Sequence, residues 1–340
     1  MDINYSIHKI DEIIIHRISR RKYDNPLEEL KSIFALFQEL LKTNYVKNIN
    51  DDKVFLWEHD VVENIKKSCK DLEKVLYSYM YGDLMGCYKI LGRLFKSTVN
   101  KFTKQVQFPT VSIARDSIWF RARNNEAMKS MECRDLFHVP FNKRAYVTTK
   151  RYSIPGYPCL YMANSVMCCY KEIGMRNNIS VSSFRLKEDI EVYDFTFFPE
   201  ENKDPKRFWS LLELYPFKIA CAILVNEHTE NSVFIPEYII PQFVLHCTIK
   251  QKGNKIDGII YTSTKGYSID VTESINAMYT NLVIPVKEIK EEGFCCKLQD
   301  KFSMTKPRNI NVAALMNDDM FDEFEKQEEH NEYLNIKLDQ

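Results

Sequence analysis

Residues Arg151–Gly174, RYSIPGYPCLYMANSVMCCYKEIG, crowd a cation, an aromatic ring and a carboxylate into one turn–strand–helix unit. Pro155-Gly156 reads as a tight turn, with proline presetting φ at one position and glycine accepting a positive φ at the next. The apolar run Pro158–Ala163 has the length of a buried strand. Asn164 or Ser165 is placed to cap a following helix, and Gly174 to stop it. On that helix Val166, Cys169, Tyr170 and Ile173 share one face. Glu172 lies roughly 110° away, on the side of Ser165 and Cys168, at about 100° per residue. A carboxylate at that border can look into a cleft rather than open water.

Working outward, Ser117–Arg123 alternates in part and sets Trp119, Arg121 and Arg123 opposite Phe120 and Ala122. Leu136–Pro140 leads into the Arg151 region. Ile190–Phe195, Asp257–Ser263 and Thr280–Pro285 read as strands, and Ile219–Val225 as a buried strand or a helix end. Phe234–Cys247 reads as a helix entered at Pro236 and passing through Pro241. Short strands with few, separated helices predict an α+β fold rather than an alternating βαβ series. The chain has no G-x-G-x-x-G, no Walker loop and no internal repeat.

Residues 1–105 read as helical. Asn25-Pro26 opens one helix striped by Leu30, Ile33, Phe34, Phe37, Leu40 and Leu41. A second runs from about Asp60 to Tyr81, and Asp83 caps a third after Gly82. Three such helices make a small bundle. The cluster Arg17, Arg20, Arg21 and Lys22 ahead of it is read as a solvated face rather than a nucleic-acid contact. Beyond Lys306 the chain turns polar and acidic, and is read as a frayed tail or a docking helix carrying Phe321 and Phe324. The expected division is a helical domain 1–105, a catalytic domain 106–305 and an acidic tail 306–340.

Lys+Arg and Asp+Glu balance at 47 each, so no overall field favours nucleic acid. Ten cysteines show no C-x-x-C pair or zinc spacing, and most lie in apolar runs where a reduced thiol behaves as a small hydrophobe. No metal is expected. Reduced thiols, no export-type N-terminus and no long apolar run predict a cytoplasmic protein without a membrane span.

Taken in order, Trp119–Arg123, Arg151 with its Pro155-Gly156 turn, Leu160-Tyr161, Ser165, Glu172, Tyr238–Gln242 and Gly258–Ser263 resemble the RES domain, named for its arginine, glutamate and serine. The resemblance covers roughly residues 110–290 and leaves out the helical N-terminal region. It implies an ADP-ribosyltransferase-like mixed β core with flanking helices. It also implies a toxin that degrades NAD, as an NAD glycohydrolase using water or an NAD phosphorylase using inorganic phosphate. Many family members are restrained by a separate helix-turn-helix antitoxin. NAD would be the substrate, and no cofactor is implied.

Cleaving the nicotinamide–ribose bond builds positive charge at the ribose C1′, which a fixed carboxylate stabilises. Glu172 is the candidate. The pyrophosphate wants the planar fork of arginine, offered by Arg121 and Arg151, with Arg123 behind them. Tyr161 can stack on the pyridinium, and Ser263, at the position of the family's serine, would give its hydroxyl to a phosphate or ribose oxygen of NAD. Each has an ordinary alternative: Arg121 as a surface partner, Glu172 paired with Arg176, Tyr161 as core, Thr262 or Thr264 in place of Ser263. His138 is either an acid–base group or a packing residue. Two other functions share these residues: ADP-ribosyl transfer to a macromolecule, and a non-catalytic interaction module. The module requires that Arg151, Tyr161 and Glu172 do not converge.

Overall fold

The computed structural model describes residues 7–44, 56–97, 108–197, 205–226, 232–250, 256–265, 279–312 and 318–338. Helices α1 (His8–Ile18), α2 (Pro26–Asn44), α3 (Leu56–Met80) and α4 (Leu84–Ser97) come first. Strands β1 (Thr110–Ile113) and β2 (Ile118–Asn124) follow, then the one-turn helix α5 (Cys133–Leu136). Next are β3 (Cys159–Ala163), α6 (Val166–Glu172), β4 (Asn178–Leu186) and β5 (Ile190–Phe195). Helices α7 (Pro205–Ala222) and α8 (Ile239–Lys250) precede β6 (Gly258–Thr262) and β7 (Thr280–Pro285). Then come α9 (Cys296–Lys301), β8 (Phe302–Met304), β9 (Arg308–Asn311), α10 (Asp318–Glu329) and β10 (Leu334–Asn335). The fold is α+β.

The chain divides into two units. One takes Met1–Pro109, Phe195–Val244 and Tyr267–Val271; the other takes Thr110–Asp194, Leu245–Gly266 and Thr272–Gln340. This departs from the three consecutive domains read from sequence. The segment after β5 returns to the helical unit, and the acidic C-terminal stretch belongs to the sheet unit.

In the helical unit the local signals act as read. Asn25 Oδ1 accepts from Leu27 N at 2.9 Å and opens α2. Gly82 takes φ +82°, and Asp83 Oδ1 accepts from Gly86 N at 2.8 Å in the first turn of α4. The stripes of α2 (Leu30, Ile33, Phe34, Phe37, Leu41) and α3 (Ile65, Cys69, Leu72, Leu76) are buried, each large side chain contributing about 1.5–3 kcal/mol. Two further helices join them. Helix α1 buries Ile10, Ile14, Ile15 and Ile18, and α7 buries Leu212, Tyr215 and Ile219, with Tyr215 stacked on Phe37 at 4.8 Å. Ile219–Val225, open between strand and helix, closes α7.

The basic cluster is not a solvated face. Arg17, in the last turn of α1, forks onto Glu29 at 2.7 and 2.9 Å, with the two side chains 7% and 1% exposed. Arg21 pairs with buried Glu237 at 2.9 Å and donates to the carbonyls of Asp24 and Leu224. Only Arg20 and Lys22 face solvent. With α1 unread, these cations had no partner in view; its packing on α2 supplies one.

The sheet unit holds a ten-stranded sheet in the order β1-β5-β6-β7-β3-β2-β4-β8-β10, with β9 also on β4. The registers β1–β5, β2–β3, β2–β4, β3–β7, β6–β7, β4–β8, β4–β9 and β8–β10 are all antiparallel. One core, around Trp119, Leu160, Met162, Phe184, Leu282 and Phe302, lies on one face. The other, around Phe120, Ala163, Val166, Cys169, Ile179 and Val181, takes in α6. The acidic stretch is no frayed tail. Strand β9 pairs with β4, β10 with β8, and Phe324 and Ile336 enter the two cores. The Phe321 side chain lies outside the described residues. Among the described residues no helix is long and apolar enough to cross a membrane.

Candidate functional site

The opening stretch folds as its residues dictate. Gly156 takes φ +78°, and Tyr157 N donates to Ile154 O at 2.9 Å across the Pro155-Gly156 turn. Ser165 caps α6, its Oγ accepting from Cys168 N at 3.0 Å. Gly174, at φ +82°, stops the helix, a conformation any Cβ would strain. Strand β3 pairs with β7 along its whole length, so that Ala163 lies opposite Asn281, which lies opposite Tyr261 on β6. Strand alternation then puts Tyr161, Asn281 and Tyr261 on the face covered by α6.

Glu172, half-buried in the last turn of α6, meets this face. Its Oε1 accepts from Ser263 Oγ and from Asn281 Nδ2, each at 2.6 Å. Arg176, the ordinary helix partner, is not used. Among the three neighbouring hydroxyls Ser263 is therefore the one on the carboxylate, and Lys265 N donates to it at 3.3 Å. Thr264 Oγ1 instead accepts from Arg151 Nη2 at 3.3 Å, which brings Arg151 beside the Ser263–Glu172 pair. Tyr161 donates its hydroxyl to Ser153 Oγ at 3.1 Å. Tyr261 sits among the set: burial pushes its phenol well up, Glu172 and Tyr161 add to the push, and Arg151 opposes it.

Arg121 lies where the sheet opens. Strands β2 and β3 pair only at Phe120 with Ala163; past that point Arg121 Nη1 donates to the carbonyl of Tyr161 at 2.7 Å. Burial, with Arg123 adding like charge, lowers its pKa to about 9, so it stays cationic at neutral pH. Its Nε is buried and has no hydrogen-bond partner among the described residues.

No family model matches the chain, that of the RES domain included, and no solved structure matches it. A protein of Bacillus subtilis (strain 168) described as "Putative toxin YopC" is 30% identical over 324 residues, 88% of this chain and 71% of that protein. The chain belongs to the YopC family. The match runs through both units, so the helical part is as much a YopC-family feature as the sheet.

Two of the residues read from sequence stand apart in this YopC-family chain. Arg123 makes no hydrogen bond to the others among the described residues and acts on Arg121 only as a like charge; burial lowers its pKa and Asp135 opposes the shift. His138 is fully buried among Phe137, Phe141 and Phe294. Its Nε2 accepts from Cys295 N at 2.9 Å while Nδ1 faces Val139 O at 2.8 Å, which fixes a neutral ring in a packing role. The thiols beside the site are inert. Burial, then the neighbouring Cys169 and Glu172, pushes Cys168 far up, and burial pushes Cys169 up to about 12 against the pull of Arg121. Sequence reading missed Asn281 and Tyr261. The signal for Asn281 was a single amide inside the apolar run TNLVIP, which a strand buries only with a partner.

Proposed function

We propose that this YopC-family chain is a toxin that consumes NAD, breaking the bond between nicotinamide and ribose with water or inorganic phosphate as acceptor. The observation that carries the reading is Glu172, gripped by Ser263 and Asn281 beside Arg151, with Tyr161 on the same sheet face. In the reaction the C1′–N bond breaks and its electron pair leaves with nicotinamide. A C1′–O bond then forms to water, giving ADP-ribose and a proton, or to phosphate, giving a sugar phosphate. Glu172 stabilises the developing oxocarbenium charge. Arg151 and Arg121 face the pyrophosphate, and Tyr161 stacks on the pyridinium. Ser263 holds Glu172 rather than a phosphate, because its proton is committed to the carboxylate. The toxin role draws on the name of the Bacillus relative, and a separate antitoxin is the partner such a toxin calls for.

The non-catalytic reading needs Arg151, Tyr161 and Glu172 scattered, and their grouping counts against it. Incubating the purified chain with NAD, with and without phosphate, and separating the products tests the proposal. Free nicotinamide with ADP-ribose, or with its phosphate ester, is the expected result, lowered by about 10²–10³ in Glu172→Gln and weakened in Arg151→Ala. Intact NAD under every condition, or full turnover by Glu172→Gln, overturns it. Label transferred to macromolecules would move the reading to ADP-ribosyl transfer.

A further inference from the structure

The grip on Glu172 is one-sided. Ser263 and Asn281 both donate to Oε1, and among the described residues Oε2 makes no hydrogen bond. A carboxylate fixed through one oxygen presents the other. Asn281 is itself oriented, at 3% exposure in the second position of β7. Cys168, one helical turn before Glu172, donates its S–H to Asn281 Oδ1 at 3.5 Å. With Oδ1 so engaged, only Nδ2 is left to face the carboxylate; the flipped amide would set oxygen against oxygen. The thiol is a dependable donor because burial keeps it protonated.

We infer that Asn281 is a positioning residue that aims Oε2 of Glu172 at the reacting sugar, and that the Cys168 thiol sets the direction of its amide. The inference rests on the NAD reading for its reaction, not for its geometry. Outer partners of this kind are worth about 10–100-fold in activity.

The test compares the full chain with Asn281→Ala, Asn281→Asp, Cys168→Ser and Cys168→Val, reading kcat and KM for NAD across pH and thermal melting. Asn281→Ala is expected to lose about 10–100-fold in kcat with little change in KM. The titratable and charged groups around Glu172 are Cys168 and Cys169 on α6, Tyr261 on β6 and Arg151, with Glu325 at the far end of α6, and all of them are common to the parent and Asn281→Ala. Asn281→Asp keeps the shape but opposes two carboxylates, so its activity should recover as pH falls and the new carboxyl gains a proton to donate. Cys168→Ser should keep most of the activity that Cys168→Val loses. A folded Asn281→Ala with the parent's kcat and pH profile overturns the inference, as does an Asn281→Asp profile that merely scales the parent's.

An NMR titration of the Glu172 carboxyl in the parent and in Asn281→Ala reads the same hydrogen bond without substrate. Superimposed curves overturn the positioning role. Displaced curves in a parent that leaves NAD intact keep that role and sink the NAD reading instead.

Discussion

Glu29 in the helical unit and Glu172 in the sheet unit are both held by the protein, but by different amounts. Glu29 is 1% exposed, and both its oxygens are taken. Arg17 forks across them, and the backbone N–H groups of Lys22 and Tyr23 add bonds to Oε2 at 3.1 and 3.2 Å. Among the described residues, Glu172 receives two neutral donors on one oxygen and none on the other. A saturated carboxylate has nothing left to offer a ligand, so its worth lies in stability. A half-engaged one is fixed in place yet keeps a face for chemistry. The count of lone pairs used, more than burial, separates the two roles.

The contrast is broken most directly by removing the saturated member. Glu29→Ala leaves the Arg17 guanidinium buried without its counter-charge, and losing one partner of a buried pair costs about 3–5 kcal/mol. Urea denaturation of the full chain should report a loss of that size. A loss under about 1 kcal/mol, the range of exposed pairs, would put Glu29 with the surface glutamates.

The converse change comes next. Glu172→Gln should lower NAD turnover by about 10²–10³, the range for removing a preorganised electrostatic group. Its unfolding free energy should move by only about 0.5 kcal/mol, as at a half-exposed position without an ion pair. If Glu172→Gln destabilised the chain as Glu29→Ala does while sparing turnover, the two carboxylates would have the same role and the comparison would collapse.

What could be read in advance follows the range of the forces involved. Helices α2, α3 and α4 announce themselves within a few residues, by a cap such as Asn25 or Asp83 and a stripe at helical spacing. The turn, strand, cap and stop around Glu172 are local too, and Ser165 and Gly174 act as their chemistry suggests. Strand β4 was invisible because its buried positions include Ser180, Ser182 and Ser183. Their hydroxyls are satisfied by Asn309 and Thr305, more than a hundred residues on, so no local pattern marks them as interior. The acidic stretch after Lys306 misled for the same reason: its composition says solvent, while β9 draws its order from β4. At the site, Glu172 and Arg151 stood out by residue type, but Asn281 lies 109 residues from the carboxylate it holds. Only the register of β7 beside β3 and β6 brings them together.

A smaller effect sharpens the contrast from the side of the helix. Ser165→Ala removes the N-cap hydroxyl of α6, worth about 1 kcal/mol, and leaves the bond from Val166 N to Glu325 in place. Helix α6 has two turns and carries Glu172 at its far end, so fraying should reach the carboxylate. Turnover in Ser165→Ala should fall with KM held, while Asn25→Ala, at the cap of the well-packed α2, should cost similar stability and leave turnover alone. Equal activity in the two variants would mean that α6 is held by its core contacts, Val166 and Cys169, rather than by its cap.

The least of the effects asks whether the two units respond alike to alkali. Burial raises Cys69 on α3 to about 12, with Glu73 adding to the push, and raises Cys159 on β3 to about 12 as well, from an ordinary value of 9.0. An unfolded thiol begins to ionise near that ordinary value, whereas the folded one keeps its proton until well above it. Between the two the unfolded chain binds fewer protons, so stability falls as pH rises; below the lower value the contribution is intact. From pH 8 to about 9.5 each such thiol should cost a little under 1 kcal/mol. Cys69→Ala loses some packing at every pH, but its stability should decline less steeply through this window than the parent's, and Cys159→Ala should flatten it by a similar amount. Curves parallel to the parent for Cys69→Ala but flattened for Cys159→Ala would mean that the thiol in the helical unit meets water already in the folded state, and that the sheet unit alone seals its interior.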